Sequence, residues 1–157
     1  DINPGLQLRI IDEFIRDQRM VDILEAEKYD FVVDAIDTLS PKVFLIYHSL
    51  RLKLRVVSSM GAGGRFDPTA IRVSDISETN FCNLARMLRK KLHKLGVYEG
   101  FTAVYSPEVV DKSLIVRGSD ESNKASSVGT ISYMPAAFGI ACASVVIREL
   151  AGVTGAD

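Results

Sequence analysis

The stretch YDFVVDAIDTLSPKVFLI, Tyr29 to Ile46, decides the fold of this chain. An apolar run ends in two carboxylates, Asp34 and Asp37, and a helix signal follows at once. Carboxylates at the edge of a core are costly to desolvate unless something pairs with them. A metal ion, a ligand or a helix N-terminus would each supply that partner. The segment DFVVDA, Asp30 to Ala35, reads as a parallel strand buried on both faces. Ser40 then takes the place of an N-cap and Pro41 that of the first helical residue. The spacing predicts a helix to about Lys53, with Val43, Phe44, Tyr47 and Leu50 inward.

Working outward, Leu6 to Ile11 reads as a short strand. Arg16 to Glu27 reads as a helix with Met20, Ile23 and Leu24 on one face. After the central helix, RVVSS (residues 55–59) is a further strand, and MGAGGRFDP (residues 60–68) is a glycine-rich loop. Strands and helices alternating in this way imply an α/β fold: a Rossmann-like parallel or mixed sheet with flanking helices. In the second half, AIRVSDI and FTAVYS read as strands. Asn80 to Leu95 is a helix with Phe81, Leu84, Leu88, Leu92 and Leu95 at helical spacing, stopped by Gly96. Arg117 to Ser127 is polar and aperiodic, which predicts a mobile loop. The chain closes on an Ala-rich helix from Pro135 to about Leu150.

The 157 residues suffice for one domain with a real core, and 47% hydrophobic with 25% charged residues is an ordinary globular balance. A formal net charge of −1 leaves any nucleic-acid surface to be local. Cys82 and Cys142 lie far apart and form no CxxC pair, so neither a disulfide framework nor a zinc site is expected, and the setting reads as reducing and cytoplasmic. The uncharged run from Ile131 to Ile147 is shorter than the roughly 20 residues of a membrane span, which favours a core or interface helix over a span. The opening DINPGLQLRI has no methionine and moves straight from a turn signal into a strand-like segment. We therefore expect residues 1–157 to be a single domain that begins inside a longer one.

Three constellations carry chemistry. In a parallel α/β sheet, ligands sit beyond the carboxyl ends of the strands. Asp34 and Asp37 stand at such an end. There they would hold a Mg²⁺ that bridges phosphates, with Lys42 one turn into the helix against an anion. The plainer alternative is that Asp37 caps the helix and Asp34 meets a backbone amide. Gly61, Gly63 and Gly64 permit close backbone approach or positive φ, but GAGG matches neither GxGxxG nor GxxxxGK[ST], and a strained turn after a strand is the favoured reading on sequence grounds. The helix at 80–95 carries Arg86, Arg89, Lys90, Lys91, His93 and Lys94 with no acid among them. That reads as either a solvated face or a phosphate-binding surface, with Arg86, Arg89, Lys90 and Lys94 turned outward. His48 and Cys142 read as core residues. Cys82, at the start of the basic helix, reads as buried rather than reactive.

Taken together, INP, VVDAIDTLSPK, SSMGAGGRFDPTAIRVSDI and LARMLRKKL resemble the ThiF/MoeB/HesA family, bacterial relatives of ubiquitin-activating enzymes. The likeness is strongest to the family's tRNA threonylcarbamoyladenosine dehydratase branch and weakest over Arg117 to Thr130. The resemblance implies an ATP-dependent adenylating enzyme in which a carboxylate attacks the α-phosphate and pyrophosphate leaves. In that branch the carboxylate belongs to a modified tRNA adenosine, which then cyclises with loss of water. Asp37 would be the catalytic, Mg²⁺-holding aspartate of the Asp-x-x-Asp motif. Asp34, Ala35, Ile36, Thr38 and Lys42 would lie around the cofactor, and Gly61, Gly63 and Gly64 beside it. The resemblance also implies a tRNA substrate met by Arg86, Arg89, Lys90 and Lys94, a homodimer built on the small-residue helix at Gly139 and Ala143, and room for a sulfur-transfer protein partner. Two features depart from the family. Its glycine-rich nucleotide loop and ATP-gripping Arg and Lys would lie upstream of INP, and its usual asparagine after Asp37 is Thr38 here. The absence of paired CxxC ligands favours the dehydratase branch over the activators of ubiquitin-like sulfur carriers. A non-catalytic RNA- or protein-binding module is the reading from a different class.

Overall fold

A computed structural model describes residues 3–117 and 126–153. In chain order the elements are α1 (Asp17–Glu25), β1 (Val32–Asp34), α2 (Leu39–Arg51), β2 (Val56–Ser59), β3 (Arg72–Asp75), α3 (Asn83–His93), β4 (Thr102–Tyr105), β5 (Ile115–Arg117), β6 (Ser126–Val128) and α4 (Tyr133–Leu150). The main sheet has the order β1-β2-β4-β3. The strands β1, β2 and β4 are parallel, and β3 joins the edge of β4 antiparallel. This is the mixed sheet with flanking helices that the alternating pattern implies. A second, two-stranded sheet pairs β5 with β6. The loop expected over Arg117 to Ser127 lies for its greater part, residues 118–125, outside the described residues.

Alternation along the strands explains the three layers. On one face Val56, Ala103 and Tyr105 pack with Val43 and Ile46 of α2 and Leu88 and Leu92 of α3. On the other, Val57 and Val104 pack against Met134, Phe138, Cys142 and Val145 of α4. Both faces of β2 and β4 are therefore apolar, which is why RVVSS and FTAVYS read as continuous runs. Each fully buried Leu, Ile or Phe contributes about 1.5–3 kcal/mol. Helix α4 is long and apolar enough to cross a membrane by length and composition alone, yet one of its faces is seated on the sheet. Its other face, with Gly139, Ile140, Ala143 and Ile147, is exposed.

Several local expectations are corrected. Leu6–Ile11 forms no strand. The expected strand Asp30–Ala35 is shortened to β1, and as an edge strand it leaves Val33 52% exposed rather than buried on both faces. The N-cap of α2 is Thr38, in extended conformation, so Ser40 and Pro41 fall inside the first turn. Phe44 is exposed, and its expected inward place is taken by Lys42 and Ile46. Starting the helix two residues earlier does not rotate it, but the sheet packs on the 42–43–46–49 face, which contains the lysine. In α3 the stripe holds at Leu88 and Leu92, while Phe81 precedes the helix and both it and Leu95 are exposed. Gly96 closes α3 as expected: at φ +79° its N–H donates to His93 O, and that of Val97 donates to Leu92 O.

The carboxylate that ends the apolar run finds its partner inside the protein. Asp34 and Lys42 are both fully buried, with Lys42 Nζ 2.7 Å from Asp34 Oδ2. Asp34 also accepts from Ser58 Oγ at 2.6 Å and from the Ile36 N–H at 3.0 Å. The ammonium donates further to Ile36 O at 2.9 Å and Ser59 O at 2.8 Å. Three protons thus meet three acceptors, the full capacity of a lysine. Removing one member of such a pair leaves a buried charge uncompensated. Lys42→Met is expected to lower stability by about 3–5 kcal/mol in urea denaturation. Combining it with Asp34→Asn should recover a large part of that loss. A Lys42→Met protein as stable as the wild type would show that the pair does not hold this corner.

Candidate functional site

The carboxyl ends of β1, β2 and β4 open onto a groove of about 1380 Å³. Its floor includes Ala35, Ile36 and Asp37 after β1, and Met60, Gly61 and Gly63 after β2. Phe81, Arg86 and Met87 line it from the start of α3, and Phe138 and Cys142 line it from α4.

Asp37 is exposed on this groove, and its Oδ1 accepts from Thr38 Oγ1 at 3.2 Å. Asp37 sits there because the Asp34–Lys42 network pins the preceding residue: the Ile36 N–H goes to Asp34 and its carbonyl receives Lys42. The placement separates the two aspartates by role. Asp34 and Lys42, expected beside a cofactor, are buried behind the groove and turned to each other, so Lys42 is not placed to meet an anion. Among the described residues there is no cluster of three or more His, Cys, Asp or Glu that would form a metal cage.

The glycine-rich loop is held from beneath by a residue the sequence pattern does not single out. Arg65 is buried, its Nε donates to Ser106 O at 3.1 Å, and its Nη1 donates to Gly61 O at 2.7 Å and Gly63 O at 3.4 Å. Glu108 holds the outer side, accepting from the Phe66 and Asp67 N–H groups at 3.1 and 3.2 Å and from Ser106 Oγ at 2.8 Å. Gly64 has φ +68°, and a Cβ there would lie 2.5 Å from Val110 Cγ1. A cation directly after a glycine pair is the only sequence signal of this clamp, and one of its carbonyl acceptors comes from the end of β4, 41 residues on.

The basic helix divides. Arg86, Lys90 and Lys94 are exposed at four-residue spacing, one stripe along α3 that starts at the groove rim. Arg89, expected outward with them, is half-buried. Its Nη1 donates to Thr79 O at 2.8 Å and Ile76 O at 3.4 Å, and also contacts Thr79 Oγ1. The difference arises because the turn Ile76–Glu78 leaves carbonyls facing α3, and only a long cation at 89 reaches them. Of the two cysteines, Cys82 is buried at the N-cap of α3, and burial pushes the Cys142 thiol up, away from the thiolate.

Comparison with known proteins gives a consistent result. The profile of the ThiF family matches residues 1–156. The tRNA threonylcarbamoyladenosine dehydratase of Haemophilus influenzae is 33% identical over 159 residues, covering 95% of this chain and 60% of that protein. The Saccharomyces cerevisiae tRNA threonylcarbamoyladenosine dehydratase 1 is 31% identical over 139 residues, covering 82% of this chain and 32% of its own length. Among solved structures, the Escherichia coli tRNA N6-threonylcarbamoyladenosine dehydratase in complex with ATP matches with a TM-score of 0.81 at 29% identity, over 96% of this chain and 59% of that one. The chain therefore spans less than two thirds of the length of each of these proteins.

The division within the basic helix is testable without any ligand. Arg89→Ala removes the donor to buried carbonyls and is expected to cost about 1–3 kcal/mol of stability. Arg86→Ala, on an exposed position, should stay within about 0.5 kcal/mol of the wild type. Equal midpoints for the two variants in urea would return Arg89 to the solvated face.

Proposed function

The chain belongs to the ThiF family, and from that premise we propose that it forms part of an ATP-dependent adenylating enzyme acting as a tRNA threonylcarbamoyladenosine dehydratase. One observation carries the reading: an exposed aspartate, Asp37, at the carboxyl end of a parallel strand, in a fold that matches an ATP-bound dehydratase. In this reading the carboxylate of the threonylcarbamoyl group attacks the α-phosphate of ATP and pyrophosphate departs. The acyl-adenylate then cyclises, so that the activated oxygen leaves with AMP.

Within this chain, Asp37 is the group that faces the phosphates. Mg²⁺ typically binds through one or two carboxylates, water and substrate phosphates rather than a protein cage, and a single exposed carboxylate fits that donor set. Bound there, the ion would neutralise charge developing on the phosphates. Ala35 and Ile36 line the same groove, and Thr38 orients Asp37 through its hydroxyl. The Asp34–Lys42 pair acts at one remove, by fixing the backbone from which Asp37 projects. No GxGxxG or GxxxxGK[ST] occurs within the 157 residues. The phosphate cradle is accordingly proposed to lie in sequence outside them. The reading extends to a cytoplasmic setting, to RNA held on Arg86, Lys90 and Lys94, and to a homodimer, for which the exposed face of α4 around Gly139 and Ala143 is available.

Two outcomes follow for the whole protein. Asp37→Ala should reduce tRNA-dependent pyrophosphate release by at least about a hundredfold while the melting temperature stays near that of the wild type, because an exposed carboxylate carries little of the fold. Near-normal turnover would remove Asp37 from the chemistry. Replacing Arg86 and Lys90 together by Glu should weaken tRNA binding and flatten its salt dependence by about two units of slope, one for each phosphate the stripe no longer neutralises. Coincident salt slopes would make the stripe a solvated face only.

A further inference from the structure

Phe81 is the most conspicuous side chain that neither the fold nor the adenylation chemistry uses. It is 75% exposed and lines the groove. Its backbone lies in the left-handed region at φ +50°, where an aromatic residue is rare because Cβ crowds its own carbonyl. A large apolar ring held in strained backbone and turned to water gains nothing for folding, and such strain is concentrated at functional positions. The position also has charge beside it. Arg86, five residues on, lines the same groove and begins the exposed stripe that continues to Lys90 and Lys94. No acidic residue lies on α3 itself.

An RNA strand whose phosphates run along that stripe reaches the groove at Phe81, where it meets an open aromatic face. Aromatic rings in this setting stack unpaired bases, and they do so with little regard to sequence. The same groove carries Asp37. We propose that Phe81 is the stacking platform for a nucleobase of the RNA substrate, positioning the nucleotide that enters the groove toward Asp37. This deepens the RNA-directed reading above and rests on it.

The test uses the whole protein in four forms: wild type, Phe81→Ala, Phe81→Tyr and Phe81→Gly. Unmodified tRNA affinity is measured across a salt series, together with melting temperature and the KM for tRNA in pyrophosphate release. Phe81→Ala should weaken tRNA binding roughly 10- to 100-fold, with the salt slope unchanged because no charge is removed. Phe81→Tyr keeps the ring and should bind within about threefold of the wild type. Phe81→Gly should lose tRNA affinity as the alanine variant does, while its melting temperature holds or rises by about 2–4 °C, since glycine takes positive φ without penalty. The proposal is overturned if Phe81→Ala binds tRNA like the wild type, if its salt slope falls as it would on removal of a phosphate-binding charge, or if Phe81→Gly melts several degrees lower, which would mark a packing residue. Loss of tRNA affinity in Phe81→Ala from a protein that releases no pyrophosphate would sink the adenylation reading and leave this one standing. Normal turnover with a wild-type KM in Phe81→Ala would do the reverse, and a wild type that holds no tRNA ends both.

Discussion

The buried pair of Asp34 and Lys42 is the constraint on which the candidate site depends. Two unit charges withdrawn from water cost several kcal/mol each, and their attraction offsets that only when every remaining polar group is satisfied. Here they are: the carboxylate has Ser58 Oγ and the Ile36 N–H besides the lysine, and the ammonium has two carbonyls besides the carboxylate. The acceptors come from β1, the β1–α2 corner and the end of β2, so one side chain of α2 ties together three segments of the chain. The pair makes the strand ends a fixed surface, from which Asp37 is presented.

The same device recurs around the groove. Arg65 holds the glycine-rich loop by three carbonyls, and Arg89 holds the turn before α3 by two. Loops that cross the end of a sheet leave carbonyls with no ladder partner, and a buried cation satisfies several of them at once. The consequence for function is subtractive. Three basic residues that could have met phosphates are committed to the backbone. On α3 the exposed Arg86, Lys90 and Lys91, with Lys94 at its C-terminal end, remain to carry the external charge, and Gly64 is required by its φ of +68° and by the close approach of Val110.

The sequence alone determined the α/β class, the central strand–helix–strand unit, α3 with its Gly96 stop, the apolar α4, and the family resemblance. These rest on local periodicity, capping chemistry and short motifs, which survive without tertiary information. It also put Asp34 and Asp37 at the end of a strand, because an apolar run followed by carboxylates and a helix signal has few other readings. Tertiary structure alone decided what those residues face. Whether Lys42 points to solvent or to the core depends on which face of α2 the sheet covers, and the carboxylate that makes its burial tolerable sits on another element. Arg65 and Arg89 are indistinguishable from solvated cations until the carbonyls they satisfy are brought near, in the case of Arg65 from 41 residues away. Phe81 reads as one more member of a leucine stripe, until the start of α3 at Asn83 leaves it outside the helix, in left-handed backbone and open to the groove. Periodicity records how often a residue type recurs along the chain. The partner that gives a buried charge or an exposed ring its meaning comes from elsewhere in the chain, or from another molecule, and only folding selects it.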